Sequence, residues 1–302
     1  MNWLKDLRVL SETLNFSRAA ERRNITQPAF GRRIRSLEEW CGTALIDRCS
    51  HRIALTPAGR IMLEAAVDVT GRLERVRHDL EQVQAATATL TFTATHALSF
   101  NFFPAWIHGL GALASTQPMR LLSDNMNHCE KIMLAGGAQF LLCHYHPGSS
   151  IALPAGVFDH IVLARDRLIP VVGRDANGQP LHSLPGTDKD RVPYLAFEHT
   201  SGMGRILSAA LLTQVDNLHL TPVLSSHLAM VLKALAVEGK GVAWIPQSLA
   251  RDELGPIGRL TSGGPRECDI EVNIALFRPR ARMSDIAERF WDLARGALIA
   301  PI

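Results

Sequence analysis

Three arginines stand among regularly spaced apolar residues in the stretch TQPAFGRRIRSLEEW, residues 26–40. Phe30, Ile34, Leu37 and Cys41 recur at intervals of four, three and four, which makes one buried stripe on a helix. At about 100° per residue, Arg32 and Arg35 fall opposite that stripe beside Pro28, and Arg33 lies on its flank. Arginine in such a place pairs with guanine or phosphate, and Gln27 one turn earlier is suited to adenine, so the chemistry on offer is recognition of nucleic acid. The following TALIDRCSHRIALTPAG reads as a small hairpin with Arg48, His51 and Arg52 near its tip, placed for phosphate or the minor groove.

Other residue types invite other chemistry. In LLCHYHP, Cys143, His144 and His146 suggest a metal, but alternation along a strand puts both histidines on one face and the cysteine on the other. A hinge or pocket lining fits these residues better, and neither metal nor cofactor is expected. Cys129 and Cys143 have no spacing that marks a redox pair, and the five cysteines include no CxxC, which suits a reducing, cytoplasmic setting. An enzyme with a basic appended domain would rest on His96 or His227 as a base. Against it, the chain has no GxSxG elbow, Walker loop, GxGxxG or HExxH, and GKGVAW at 239–244 lacks the first glycine and the Ser/Thr of a phosphate loop.

The elements that must hold these residues can be read in outline. The 302 residues are long enough for two or three domains, and 47% hydrophobic content excludes a disordered chain. No apolar run approaches membrane-spanning length, and the N-terminus lacks the layout of a signal peptide. Net charge is only +3, yet residues 1–60 hold eleven Lys+Arg against six Asp+Glu, an asymmetry that points to an anionic partner. Three short helices are predicted there: about Trp3 to Leu14, one capped by Ser17, and one capped by Thr26 and stopped by Gly42. Ile25 and Phe30 are spaced for a hydrophobic staple, and the short link before Thr26 makes a helix-turn-helix.

The order FSRAAERRNITQPAFGRRIRSLEEWCGTALIDRCSHRIALTPAGR resembles the N-terminal winged helix-turn-helix of LysR-type transcriptional regulators. That resemblance implies operator DNA as partner, with Gln27, Pro28, Arg32, Arg33 and Arg35 on the recognition helix and Arg48 and Arg52 on the wing. Gly31 stands where the family usually has serine, and Ile46 where phenylalanine is common. Thr56-Pro57 then starts a long helix in which Met62, Ala66, Val69, Leu73, Val76, Leu80 and Val83 repeat at steps of four and three, a heptad seam. Relatives dimerise through a helix at this point, so a homodimer is expected, or a homotetramer built through the effector domains, with RNA polymerase as a further partner.

From about residue 88, strand-like runs (TLTFTAT, MRLLSD, QFLLCH, RLIPVVG, VPYLAF, GVAWIP) alternate with helical stretches such as Pro104–Ser115, Gly202–Val215 and Ser226–Glu238. The fold class expected is an all-α winged helix-turn-helix with a linker helix, followed by a two-lobed α/β effector domain like periplasmic binding proteins. The boundaries are 1–60, 57–86 and 88–302, with lobe I at about 88–163 and 267–302 and lobe II at about 164–266. Ligands gather at the carboxyl ends of strands and at helix N-termini, which nominates His96, Ala97, Leu98 and Ser99 in one lobe and Ser201, Met203, Ser226 and His227 in the other. Many relatives have serine or threonine near position 97 for a carboxylate effector, whereas this chain has alanine.

The runs HALS, SGMGRIL, SHLAMVLKALAVEGKGVAWIPQSL and FRPRARMSDIAERFW resemble a narrower group, the hypochlorite-responsive LysR-type regulators. In those, methionine oxidation is the signal, which makes Met203 the first redox candidate and Met230 the second. The alternatives are a reversible small metabolite in the same cleft and, more remotely, the cleft enzyme.

Overall fold

The computed structural model describes residues 1–48, 53–84, 89–111, 117–214, 218–255 and 257–296. Its first helices are α1 (Asn2–Thr13), α2 (Phe16–Arg22) and α3 (Gln27–Cys41), followed by a two-stranded hairpin of β1 (Ile46–Asp47) and β2 (Ala54–Leu55). Leu7, Leu10, Phe30, Ile34, Leu37 and Leu45 close their common core. Gly42 ends α3 with φ +67, the left-handed conformation that favours glycine. The cap of α2 differs from expectation. Asn15, not Ser17, is the N-cap, and its side chain accepts from the Arg18 N–H, while Ser17 lies inside the helix.

Helix α4 (Pro57–Gln84) begins at Thr56, whose hydroxyl accepts from the Gly59 N–H and donates to the Ala44 carbonyl. A Cβ at Gly59 would run into the Leu45 carbonyl, so the LTPAG turn requires glycine to seat α4 against the wing. At its N-terminal end, α4 packs on the winged helix through Met62 and Leu63 and on lobe I through Leu63 and Val67. Lys5 Nζ to Glu74 (2.8 Å) and Arg8 to the Thr70 hydroxyl (3.1 Å) tie α1 to it.

The C-terminal part holds a curled seven-stranded sheet and a separate two-stranded parallel pair, with helices packed against them. Lobe I contains β3 (Leu90–Thr95), β4 (Met119–Asp124) and β5 (Phe140–Tyr145), parallel in the order β4-β3-β5. Helices α5 (His96–Asn101), α6 (Phe103–Gly109) and α7 (Met126–Leu134) pack with them. Two long strands, β6 (Phe158–Gly173) and β11 (Ile270–Pro279), run antiparallel to each other and pass through both lobes. The apolar core changes between Ala164 and Leu168 on β6 and between Val272 and Ile274 on β11.

Lobe II carries β7 (Val192–Phe197), β8 (Leu220–Ser226), β9 (Ala243–Pro246) and β10 (Leu260–Ser262), with α8 (Gly202–Gln214), α9 (Ala229–Val237) and α10 (Gln247–Leu254). Strands β9 and β10 both pair with β6, so the lobes share the seven-stranded sheet through β6 and β11, while β7 and β8 form a separate parallel pair in lobe II. Helix α11 (Asp285–Gly296) returns to lobe I, where Phe290 and Trp291 pack with Phe92, Trp106 and Phe140. No helix among the described residues is long and apolar enough to cross a membrane.

Candidate functional site

The recognition face of α3 follows from its buried stripe. Phe30, Ile34 and Leu37 are in the core, whereas Gln27, Pro28, Arg32 and Arg35 are exposed and free of ion pairs among the described residues. Arg33 differs. Its guanidinium reaches the buried Asp6 carboxylate at 3.5 Å, and Arg23 holds the other oxygen at 2.6 Å. Arg33 therefore joins α3 to α1 and presents only part of its charge outward.

Glu38 fixes the wing to the same helix. Its Oε1 accepts the N–H groups of Leu45 (3.0 Å) and Ile46 (3.1 Å), and its Oε2 pairs with Arg48 at 2.7 Å. Arg48 also lies over the Phe16 ring at 5.8 Å, so in the absence of DNA it is committed within its own chain. Arg52 and His51 lie outside the described residues. Gly31 has open space around it, so the missing serine changes a contact and no packing.

The second site lies between the lobes. Thr95, His96, Ala97, Asp124, Asn125, Met126 and His144 from lobe I face Phe197, Ser201, Gly202, Met203, His227 and Ala229 from lobe II across a cavity of ≈ 50 Å³. Three helices of eight residues or more, α7, α8 and α9, begin at this cavity, and none of its described lining residues is Lys or Arg. Their first-turn N–H groups and dipoles favour a small anion held without a guanidinium.

The expected residues do not all reach the cavity. His96 and Ala97 line it, with His96 Nδ1 3.2 Å from the Ser123 hydroxyl. Leu98 is buried in the lobe I core, and the Ser99 hydroxyl donates to the Thr95 carbonyl, because α5 turns both inward. Ser201 lines the cavity, but its hydroxyl caps α8, donating to the Glu198 carbonyl and accepting from the Gly204 N–H. The Ser226 hydroxyl accepts from the Leu228 N–H and is outside the lining. Met203 is on the wall, half-buried against the lobe II core, whereas Met230 is 49% exposed on α9 and away from it.

His144, expected as a hinge or pocket residue, also lines the cavity, and Met126 joins it without having been expected. His144 Nε2 lies 3.3 Å from Asp166 Oδ2, with both side chains buried. Burial pushes the Asp166 carboxyl up, but hydrogen bonds from His144 and Ser248, the charge of His144 and the Arg167 N–H bring it below the usual range. Cys143, on the opposite strand face, packs with Cys129 in another core. Burial pushes Cys129 up to about 11 and Cys143 well above its ordinary value, so both remain unreactive thiols at neutral pH.

One further contact joins the lobes beside the cavity. Arg205 of α8 makes two 3.1 Å hydrogen bonds to the buried Glu130 carboxylate of α7 and a third to the Ser150 carbonyl. On the linker helix, Val69, Leu73, Val76 and Leu80 form an exposed stripe, 43%, 47%, 54% and 61% accessible. Met62 departs from the expected seam and is half-buried in the winged-helix core. Ile61 is 73% exposed and starts the outward stripe in its place. The side chain of Val83 is outside the described residues.

Comparison with known proteins decides what this arrangement is. Residues 1–60 match the model for the bacterial regulatory helix-turn-helix protein, lysR family, and residues 84–298 match the LysR substrate binding domain. The chain belongs to the LysR family of transcriptional regulators. The Escherichia coli HTH-type transcriptional regulator YjiE is 30% identical over 96% of this chain and 92% of its own. Among solved structures, Vibrio fischeri DarR in complex with DNA matches 98% of each chain at 28% identity and TM-score 0.58. Full-length HypT from Salmonella typhimurium, described as a hypochlorite-specific LysR-type transcriptional regulator, matches 98% of this chain and 97% of its own at 28% identity and TM-score 0.59.

As a LysR-type regulator the protein binds operator DNA through the winged helix and is not an enzyme. Among the residues expected to contact DNA, the exposed Arg32 is a sharper test than Arg33 or Arg48. Arg32→Ala is expected to cost about 1–3 kcal/mol of operator affinity and relax base preference if Arg32 reads guanine. If it touches phosphate only, binding weakens on all sequences and the salt slope shrinks by about one, read by anisotropy titrations at several salt concentrations. Unchanged binding in both assays removes Arg32 from the interface.

Proposed function

We propose that this LysR-type regulator senses a small oxidant of the hypochlorite class through methionine oxidation in the interlobe cleft. The observation that carries the reading is the position of Met203, on the wall of a cavity of ≈ 50 Å³. Pockets for metabolite-sized ligands hold about 300–1,000 Å³, so the cleft in this state admits a species of a few atoms. In the reaction the Met203 sulfide gains the oxygen of hypochlorous acid to become a sulfoxide. It loses two electrons to chlorine, which leaves as chloride while the proton is released. The sulfoxide is polar and chiral where the thioether was apolar, and it biases the balance between closed and open lobes.

The regulator works as a homodimer paired through α4, built from a winged helix (1–60), the linker helix (57–86) and the effector domain (88–302). A change in lobe closure alters how the pair is set, and with it half-site spacing or DNA bending. Homotetramers and contact with RNA polymerase extend the same scheme. The convergence of α7, α8 and α9 supports a second reading, in which a small anion binds the cleft reversibly and no residue is modified.

Tryptic mass spectrometry after stoichiometric hypochlorite, with operator binding followed on the same samples, separates the two. Accessibility alone favours Met230, which is 49% exposed, over the half-buried Met203. Sulfoxide at Met203 ahead of Met230, with altered DNA binding that Met203→Leu abolishes, is the expected result. Oxidation that follows exposure, with DNA binding unchanged, sinks the oxidant reading and leaves the reversible one.

A further inference from the structure

His144 is a lining residue whose hydrogen bonding is incomplete. Its side chain is 3% exposed, Nε2 is engaged with Asp166, and Nδ1 is a buried atom without a partner. The carboxylate behind it is firmly held. Asp166 accepts the Ser248 hydroxyl at 2.6 Å, the Ser248 N–H at 3.2 Å and the Arg167 N–H at 2.8 Å. An ionised carboxylate on Nε2 keeps the ring proton there, so a neutral His144 shows any occupant of the cavity a lone pair at Nδ1. That lone pair repels an anion. The protonated ring instead offers Nδ1–H, and its positive charge lies between the anion and Asp166.

We infer that the cleft binds its small anion together with one proton, which His144 takes up at Nδ1. The inference rests on the cleft being the effector site. In thermodynamic terms the site takes up a small acid HX, bound as X⁻ beside imidazolium. Hypochlorous acid belongs to that class, and a proton kept in the site favours the undissociated form that a sulfide attacks.

Other groups facing the cavity are already engaged. His96 is bonded to Ser123, the Asp124 carboxylate accepts the Asn125 N–H at 2.7 Å, and His227 lies 3.8 Å from Glu198. Arg167, which follows Asp166 on β6, turns to Gln247 and Asp269. Thr95 contributes a second buried atom without a partner, its hydroxyl, on the same wall. Of the three cavity histidines, His144 alone has a buried side chain backed by a buried carboxylate.

Bromide serves as an unreactive probe in isothermal titration calorimetry of the full chain, run at one pH in two buffers of different ionisation enthalpy. About one proton taken up per bromide is expected, with affinity falling tenfold per pH unit on the alkaline side. His144→Gln should bind bromide more weakly, with no proton uptake and a flat pH profile, while His96→Gln and His227→Gln retain both. If His144→Gln fails to fold by circular dichroism, proton uptake by the wild type decides the matter. Bromide binding without proton uptake, or uptake that persists in His144→Gln, overturns the inference and leaves the cleft as the effector site. Binding that survives Ala97→Trp, which fills the cavity, puts the anion elsewhere and overturns the cleft reading as well. No binding at any pH overturns the inference, while selective oxidation of Met203 stands or falls by its own measurement.

Discussion

Leu73→Asp is expected to turn the protein into monomers in sedimentation velocity and to weaken binding to a two-half-site operator about 10²–10⁴-fold. The size of the effect comes from geometry. Two winged helices held on one dimer bind the second half-site as an intramolecular event, and a monomer loses that advantage without losing any DNA contact. Leu73 is 47% exposed and lies between Val69 and Val76 on the outward stripe of α4, outside the apolar cores of the described residues. The variant should therefore keep its thermal midpoint within the effector domain and its affinity for a single half-site. A charge at this position in a paired seam lacks a partner and is desolvated, which opposes association strongly. A dimer that survives the substitution means that the interface lies on another surface.

The same helix shows where local pattern stops being informative. A strict heptad starts the seam at Met62, but an α-helix turns every 3.6 residues, and the exposed positions run Ile61, Ala65, Val69 and Leu73 at steps of four. The first turns of α4 face the winged helix and lobe I, a constraint visible only in the assembled chain. By contrast, the course of α3 was legible: Pro28, the apolar stripe and Gly42 act within a few residues of one another, although Thr26 at the N-cap makes no side-chain capping bond. Ser17 and Asn15 were two candidate caps for one short helix, and propensity alone does not separate them.

In the effector domain, strand-like runs revealed β3, β4, β5, β7 and β9, but the long crossing strands were seen only in part. Of the sixteen residues of β6, only the seven from Arg167 onward read as a strand, and β11 does not read as one, because both alternate irregularly where they pass between cores. Helix α7 was missed although Asn125, whose side chain caps it, stands directly before it. His144 was readable as a pocket residue and no more. What gives it a role is Asp166, 22 positions on, and Ser248, a further 82 positions beyond Asp166.

The Glu130–Arg205 pair makes a different kind of demand on the sequence, because it joins α7 of one lobe to α8 of the other. Glu130→Ala is expected to destabilise the protein by about 3–5 kcal/mol, the usual cost of leaving one partner of a buried ion pair uncompensated. The side chains are 3% and 16% exposed, so water cannot replace what Arg205 loses. Glu130 also accepts the Ala152 N–H at 2.8 Å, and that donor would be left unsatisfied too. Replacing both residues with methionine gives the decisive comparison. If the cost lies in the orphaned charge and not in the absence of the bridge, Glu130→Met/Arg205→Met should recover most of the loss. The lobes would then be packed but no longer latched, and in urea unfolding the double variant should resemble wild type while its cleft opens more readily to hypochlorite. A single substitution costing less than about 1 kcal/mol would put the pair in the class of exposed bridges and leave closure of the cleft to apolar contact alone.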